Sequence, residues 1–246
     1  MVAVVTQQSV LKITALFQHV HGQAVLADVE FTLTVGERLL IIGPNGGGKS
    51  LLVRLILGLD VPSAGTLTLF GTPPSRQRGR VGAVLQGGAL LAELSVLDNL
   101  LLPLRQRGLR AEALARAARL ALTRLQLDGL EHHHPRTLSL GQQRRVELAR
   151  ALIHQPELLV WDGVSDGLEP STVREIVALL HTEQSYRPLT LLMTDNSLTA
   201  ATQATDRILV LENGRMVFSG TREALINALT QRSALREILR GLSEHD

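Results

Sequence analysis

Cysteine is absent from the 246-residue sequence, which excludes a disulfide framework, a thiolate nucleophile and a cysteine-based zinc site. Aromatic residues are scarce, 2% of the chain, with one Trp, one Tyr and four Phe. A core must therefore be built mainly from aliphatic side chains. No charge of one sign dominates: 25 Lys and Arg stand against 23 Asp and Glu, a formal net charge of +2. That balance argues against nucleic acid as a partner, because phosphate-dominated recognition needs a concentrated basic surface with aromatics or a reading helix. Long apolar runs are missing too. None approaches the ~20 residues of a membrane-spanning helix, and the opening "MVAVVTQQSV" has neither the basic region nor the apolar stretch of a signal peptide. A cytoplasmic location is expected.

What the chain does have is Leu, Ala and Val, within a hydrophobic share of 45%. Its length suits one large α/β domain or two small ones, and no long linker divides it. An aliphatic core of this kind fits a parallel sheet covered on both faces. Strand-like stretches read as "VLKITALF", "VEFTLTV", "RLLIIG", "SAGTLTLF", "ELLVWD" and "LTLLMTD", and "RILVLENGRMVFSG" reads as a hairpin turned at Asn213-Gly214. From Ser95 to about Leu130 the Ala- and Leu-rich sequence predicts helix, and so does the tail from Arg222. Strands that alternate with helices and end in polar residues imply a ligand at the carboxyl rim of the sheet.

The segment "GPNGGGKS", residues 43–50, fits G-x-x-x-x-G-K-[ST] through Gly43, Gly48, Lys49 and Ser50. Its glycines, with Gly46 and Gly47, let backbone N–H groups beside Asn45 close around phosphate oxygens, and the helix that follows aims its positive end at them. Lys49 is placed to reach the β and γ phosphates, and Ser50 to ligate Mg²⁺. The strand "RLLII" before the loop and the helix "LLVRLIL" after it supply the required context. At residues 158–162, "LLVWD" delivers Asp162 to the same rim.

Further segments follow in a telling order. "LSLGQQRR" at residues 138–145 resembles the LSGGQ signature of ATP-binding-cassette (ABC) ATPases, Gln86 in "VLQGGALL" resembles their Q-loop, "LLVWD" their Walker B strand and "SDGLEP" their D-loop. The resemblance covers nearly the whole chain. It implies an α/β fold of the P-loop NTPase (RecA-like) type: a mostly parallel sheet core, an antiparallel β subdomain and an inserted helical subdomain at about 88–150. It also implies one nucleotide-binding domain over 1–246, with a helical extension at about 222–246. ATP and Mg²⁺ are the implied ligands, the metal held by Ser50, Gln86 and Asp162. A second cassette is the implied partner, to whose nucleotide Ser139, Leu140, Gly141 and Gln142 are presented. Ser139 reads equally as the N-cap of the helix that it opens. Residues 86–105 are similar to a segment of Mla-type cassettes serving lipid-transporting MCE systems, which implies permease subunits and an MCE-type lipid-binding protein as partners.

Several positions depart from the family pattern. Gly163 stands where a glutamate normally polarises the attacking water, a loss that typically costs ~10²–10⁴-fold. Asp166 and Glu169 lie nearby but, by the D-loop resemblance, are expected to point toward the partner. Asp195 replaces the switch histidine; a carboxylate ~4 Å from a phosphate charge costs roughly 1–4 kcal/mol, so Asp195 is expected to turn away. His21 takes the place of the aromatic that stacks on adenine. Leu51 takes the place of a second phosphate-binding hydroxyl, and Leu140 that of the first signature glycine. The run His132 to His134 is adjacent in sequence and so diverges in space, which fits a solvated loop better than a metal site. The expected function is an ABC-type ATPase subunit on the inner face of a membrane, a clamp for Mg-ATP whose own-site hydrolysis is weak. A non-transport ATP sensor or regulatory scaffold is the alternative.

Overall fold

Two burial patterns in the strands set the architecture of the computed structural model, which describes residues 8–196, 202, 205–231 and 235. β3 (Arg38–Ile42), β6 (Leu158–Trp161), β7 (Thr190–Asp195) and β8 (Arg207–Glu212) are almost continuously apolar and buried on both faces, the pattern of a covered parallel sheet. β1 (Ser9–Val20) and β2 (Gln23–Thr34) show mixed burial, as a sheet with one wet face requires. With β4 (Ala64–Leu69) they form an antiparallel sheet in the order β2-β1-β4. The larger sheet adds β5 (Val81–Val84) and β9 (Arg215–Gly220) in the order β5-β6-β7-β3-β8-β9. Every pairing in it is parallel except β8 with β9. The hairpin expected at Asn213-Gly214 is this β8–β9 pair.

Strand alternation divides the larger sheet between two cores. Leu40, Ile42, Leu159, Trp161, Leu191, Met193, Ile208 and Val210 point to one face, where they meet α2 (Val96–Leu101), α3 (Ala111–Arg124), α4 (Leu140–Leu152), α5 (Pro170–Tyr186) and α6 (Arg222–Gln231). Leu39, Ile41, Leu158, Val160, Leu192, Leu209 and Leu211 point the other way, onto α1 (Lys49–Ile56) and the antiparallel sheet. The expected fold class is thus the observed one: a P-loop α/β core with an antiparallel sheet on one side, and three helices inserted between β5 and β6. No helix among the described residues is long and apolar enough to cross a membrane.

The stretch expected to be helical from Ser95 to about Leu130 is helical in three pieces: α2, a 3-10 stretch over Leu102–Arg107 and α3. Pro103 removes a backbone donor there, and Gly108, at φ 62°, ends the stretch in the left-handed region. β5 went unnoticed because four residues, "VGAV", with Gly at the second position, carry too short a pattern. The tail helix is seen over Arg222–Gln231, and most of the remainder to residue 246 lies outside the described residues.

Because β5, β6, β7 and β3 are parallel neighbours, their carboxyl ends share one rim. That rim receives residues 43–50, Gln86, Asp162 and Thr194. Trp161, fully buried beside it, has an indole N–H without a hydrogen-bond partner. Trp161→Ala is expected to cost about 3–5 kcal/mol in urea unfolding, and Trp161→Phe much less, since Phe keeps ring volume and removes an unsatisfied donor.

Candidate functional site

Residues 43–50 leave β3 and enter α1 as a loop shaped by close approach. Gly43 passes the Leu211 carbonyl so closely that a Cβ would fall 2.0 Å from its oxygen. Gly48, the N-cap of α1, has φ 98°, and a Cβ on it would lie 2.6 Å from Leu26 Cδ2; a side chain fails there on both counts. No side chain caps α1, so the N–H groups of its first turn are left for an anion. The loop is braced from behind. Gly47 N–H donates to the Pro44 carbonyl at 3.1 Å, Gly214 N–H to Gly47 O at 3.2 Å, and Ala27 N–H to Gly214 O at 2.9 Å. A Cβ on Gly214 would fall 2.0 Å from Val25 O, so the β8–β9 turn, which the sequence marked only as a hairpin, is a structural clip for the phosphate loop.

Lys49 is 7% exposed, and its Nζ donates to Gly43 O at 2.7 Å and Pro44 O at 2.9 Å. Burial pulls the ammonium below the ordinary lysine range, while Asp162, Asp195 and Asp166 act in the opposite sense. Ser50 Oγ lies 3.5 Å from Gln86 Oε1. Asp162, 6% exposed, accepts a 2.5 Å hydrogen bond from Thr194 Oγ1, which itself accepts Gly163 N–H at 3.0 Å. Thr194 therefore fixes the carboxylate of Asp162, a role that the sequence did not reveal.

These groups border an open cavity of about 280 Å³. Of the expected residues, Asn45, Gly46, Gly48, Lys49, Ser50, Leu51, Gln86, Asp162 and Gly163 line it; Val25, Thr194 and Asn196 join them unforeseen. Gly43 and Gly47 belong to the loop but do not line the cavity. His21 is exposed in the β1–β2 turn at φ 49° and does not line the cavity, whose wall on that side is Val25. A hydroxyl, an amide oxygen and a carboxylate form a hard oxygen donor set suited to Mg²⁺, and the uncapped helix end suits the phosphates that it would bridge. No group of three or more His, Cys, Asp or Glu among the described residues could hold a metal, the histidines at 132–134 included.

Asp195 is fully buried and accepts Ser165 Oγ at 2.5 Å and Asn196 N–H at 2.7 Å. It ties β7 to the loop after β6. Asp166, expected to point toward a partner, is placed here by contacts within its own chain. This residue folds back over Gly163, with its Oδ2 2.4 Å from where a Cβ on Gly163 would stand. Burial holds the Asp166 carboxyl above the usual carboxylate range; the Gln86 amide opposes this, Asp195 adds to it, Arg144 opposes it and Asp162 adds to it. Glu169 is exposed at the N-cap of α5.

Ser139 to Gln142 stand apart, at the start of α4, and do not line the cavity of their own chain. Ser139 Oγ accepts Gln142 N–H at 3.3 Å while Gln142 Oε1 accepts Ser139 N–H at 2.9 Å, a complete capping box. Ser139 and Leu140 are exposed. Leu140 leans on the loop after β6, where a Cβ on Gly167 would lie 2.9 Å from its Cδ2, and a Cβ on Gly141 would lie 3.0 Å from Thr172 Cγ2. Deeper in α4, buried Glu147 pairs with Arg144 at 2.9 Å and accepts Ala89 N–H at 3.3 Å. Arg150 donates to Ala89 O at 2.6 Å, so α4 grips the segment that follows Gln86.

A family model described as ABC transporter matches residues 26–165. The methionine import ATP-binding protein MetN 1 of Rhodococcus jostii is 38% identical over 205 residues, 80% of this chain and 60% of that protein. The thiamine import ATP-binding protein ThiQ of Shigella boydii is 35% identical over 231 residues, 91% of this chain and 95% of that protein. The chain thus spans about three fifths of the first relative and nearly all of the second. A solved structure titled as the ATP-binding subunit of an ABC transporter superposes with a TM-score of 0.80 at 26% identity, covering 95% of this chain and 99% of that one.

Thr194→Val is expected to cost about 1–3 kcal/mol in chemical denaturation, because it strips Asp162 of its donor and leaves Gly163 N–H without an acceptor. Unchanged stability would contradict the role given to Thr194.

Proposed function

The chain belongs to the ABC transporter family, and from that premise we propose that it is the ATP-binding subunit of an ABC transport system. It binds Mg-ATP, closes against a second cassette and passes the motion to membrane permease subunits. The observation that carries this reading is the convergence of Lys49, Ser50, Gln86 and Asp162 on one cavity beside the uncapped end of α1. Ser50, Gln86 and Asp162 would hold Mg²⁺, whose charge screens the phosphates when bound. Residues 43–50 supply backbone donors, and Lys49 supplies a fixed positive charge. Ser139 and Gly141, exposed or half-buried at the far end of α4, are presented to the nucleotide of the partner.

Hydrolysis at this chain's own site is slow in this reading. Residue 163 has no side chain, and residue 195 is an anion already engaged by Ser165 and Asn196. A lipid cargo rests on the likeness of residues 86–105 to Mla-type cassettes. Within that segment Asn99 is fully buried, with its amide hydrogen-bonded to Leu91, Leu94 and Ser95, which accounts for it by loop structure alone. The relatives named above carry methionine and thiamine in their names, and cargo is selected by other subunits. No observation favours a non-transport sensor. Native-membrane purification with mass spectrometry identifies the permease and any lipid-binding partner.

The direct test is assembly. Mg-ATP is expected to shift the chain to a dimer in size-exclusion chromatography, Lys49→Ala to remove the shift, and Ser139→Arg to remove it while leaving nucleotide affinity intact. Dimerisation indifferent to both substitutions would contradict the proposal. Leu51→Thr restores one hydroxyl at the cavity and is expected to tighten ATP binding about two- to tenfold, the equivalent of roughly 0.5–1.5 kcal/mol.

A further inference from the structure

Gly163 is more than a deleted side chain. Its backbone sits at φ 73°, in the left-handed region that a side-chain-bearing residue adopts only with strain. The space in which a side chain would begin is taken: the Asp166 carboxylate presents both oxygens and its carbon within 2.4 to 3.2 Å of the Cβ position. A glutamate at 163 would strain the backbone and displace the Asp166 carboxylate from its place.

Resting on the proposed Mg-ATP reading, we infer that Asp166 is the water-activating carboxylate of this chain's own site, and that Gly163 is required so that Asp166 can fold over it. Asp166 stands against Gly163 and faces Gln86, both of which line the cavity, and its charge acts on Lys49. The loop that carries it is pinned on one side by Ser165 to Asp195 and on the other by the contact of Leu140 with Gly167. In the assigned step a water O–H gives its proton to the Asp166 carboxylate as the water oxygen bonds to the γ-phosphorus. The bond from that phosphorus to the bridging oxygen breaks, its electron pair stays on ADP, and the proton then passes to solvent.

The charged and titratable groups around Asp166 are Lys49 from α1, Arg144 from α4, Asp162 at the end of β6 and Asp195 at the end of β7, with the polar Gln86 after β5.

The test uses the full chain with Mg-ATP, and with Lys49→Ala as the blank. Asp166→Asn and Asp166→Ser are expected to lower kcat about tenfold or more, with calorimetric ATP affinity retained. Gly163→Glu is expected not to raise the rate. Without nucleotide, Gly163→Ala is expected to lower Tm, and adding Asp166→Ser to recover part of the loss. The inference is overturned by Asp166 variants within about twofold of the wild-type kcat, by a gain in rate from Gly163→Glu, or by strictly additive Tm shifts. Wild-type hydrolysis no faster than the blank overturns it as well. A wild-type chain that fails to bind Mg-ATP overturns the proposed function with it, whereas normal binding with hydrolysis indifferent to Asp166 overturns this inference alone.

Discussion

A buried lysine among carboxylates is the interaction on which the site depends. Lys49 Nζ is tied to the Gly43 and Pro44 carbonyls and meets the fields of Asp162, Asp195 and Asp166, which oppose the effect of its desolvation. One cation facing three carboxylates leaves the inner site negative, with Arg144 the next positive charge to act on Asp166. Each close pair of like charges costs a few kcal/mol, about 4 at 4 Å for an effective dielectric near 20. A bare triphosphate would worsen that balance. A divalent cation held by Ser50, Gln86 and Asp162 would offset it, and on that ground the nucleotide reading and the metal reading stand together.

The same site is wired to the rest of the molecule through α4. Its first turn presents Ser139 behind a capping box, its second and third turns hold the segment after Gln86 through Glu147 and Arg150, and Leu140 rests on the loop that carries Asp166. The groups that would hold the metal and those at the start of α4 are thus linked by one helix, which touches both the segment after Gln86 and the loop that carries Asp166.

Much of this was legible in the sequence, because it is local. The phosphate loop is a contiguous motif between a strand and a helix, so Lys49 and Ser50 could be assigned roles by position. The uniformly apolar runs at β3, β6 and β7 announced a covered parallel sheet, and Asp162 at the end of one of them announced the rim. Illegible were the features set by backbone conformation or by distant partners. Asp166 reads as a D-loop residue until φ at Gly163 is known. Thr194 looks like an ordinary strand residue until Asp162 is placed beside it by the parallel pairing of β6 and β7. Gly214 reads as a hairpin turn, although its second task is to hold Gly47 and pass under Val25. The helical character of Ser95 to about Leu130 was legible as well, but its division at Pro103 and Gly108 was not, because Ala and Leu propensity runs through both sides of the break.

The measurement that bears most directly on the central claim is a calorimetric titration of ATP into the purified chain, with Mg²⁺ and with EDTA. The account predicts saturable binding in Mg²⁺ that weakens sharply in EDTA and is lost with Asp162→Ala. Equal affinity with and without the metal, or no binding in either condition, would contradict it.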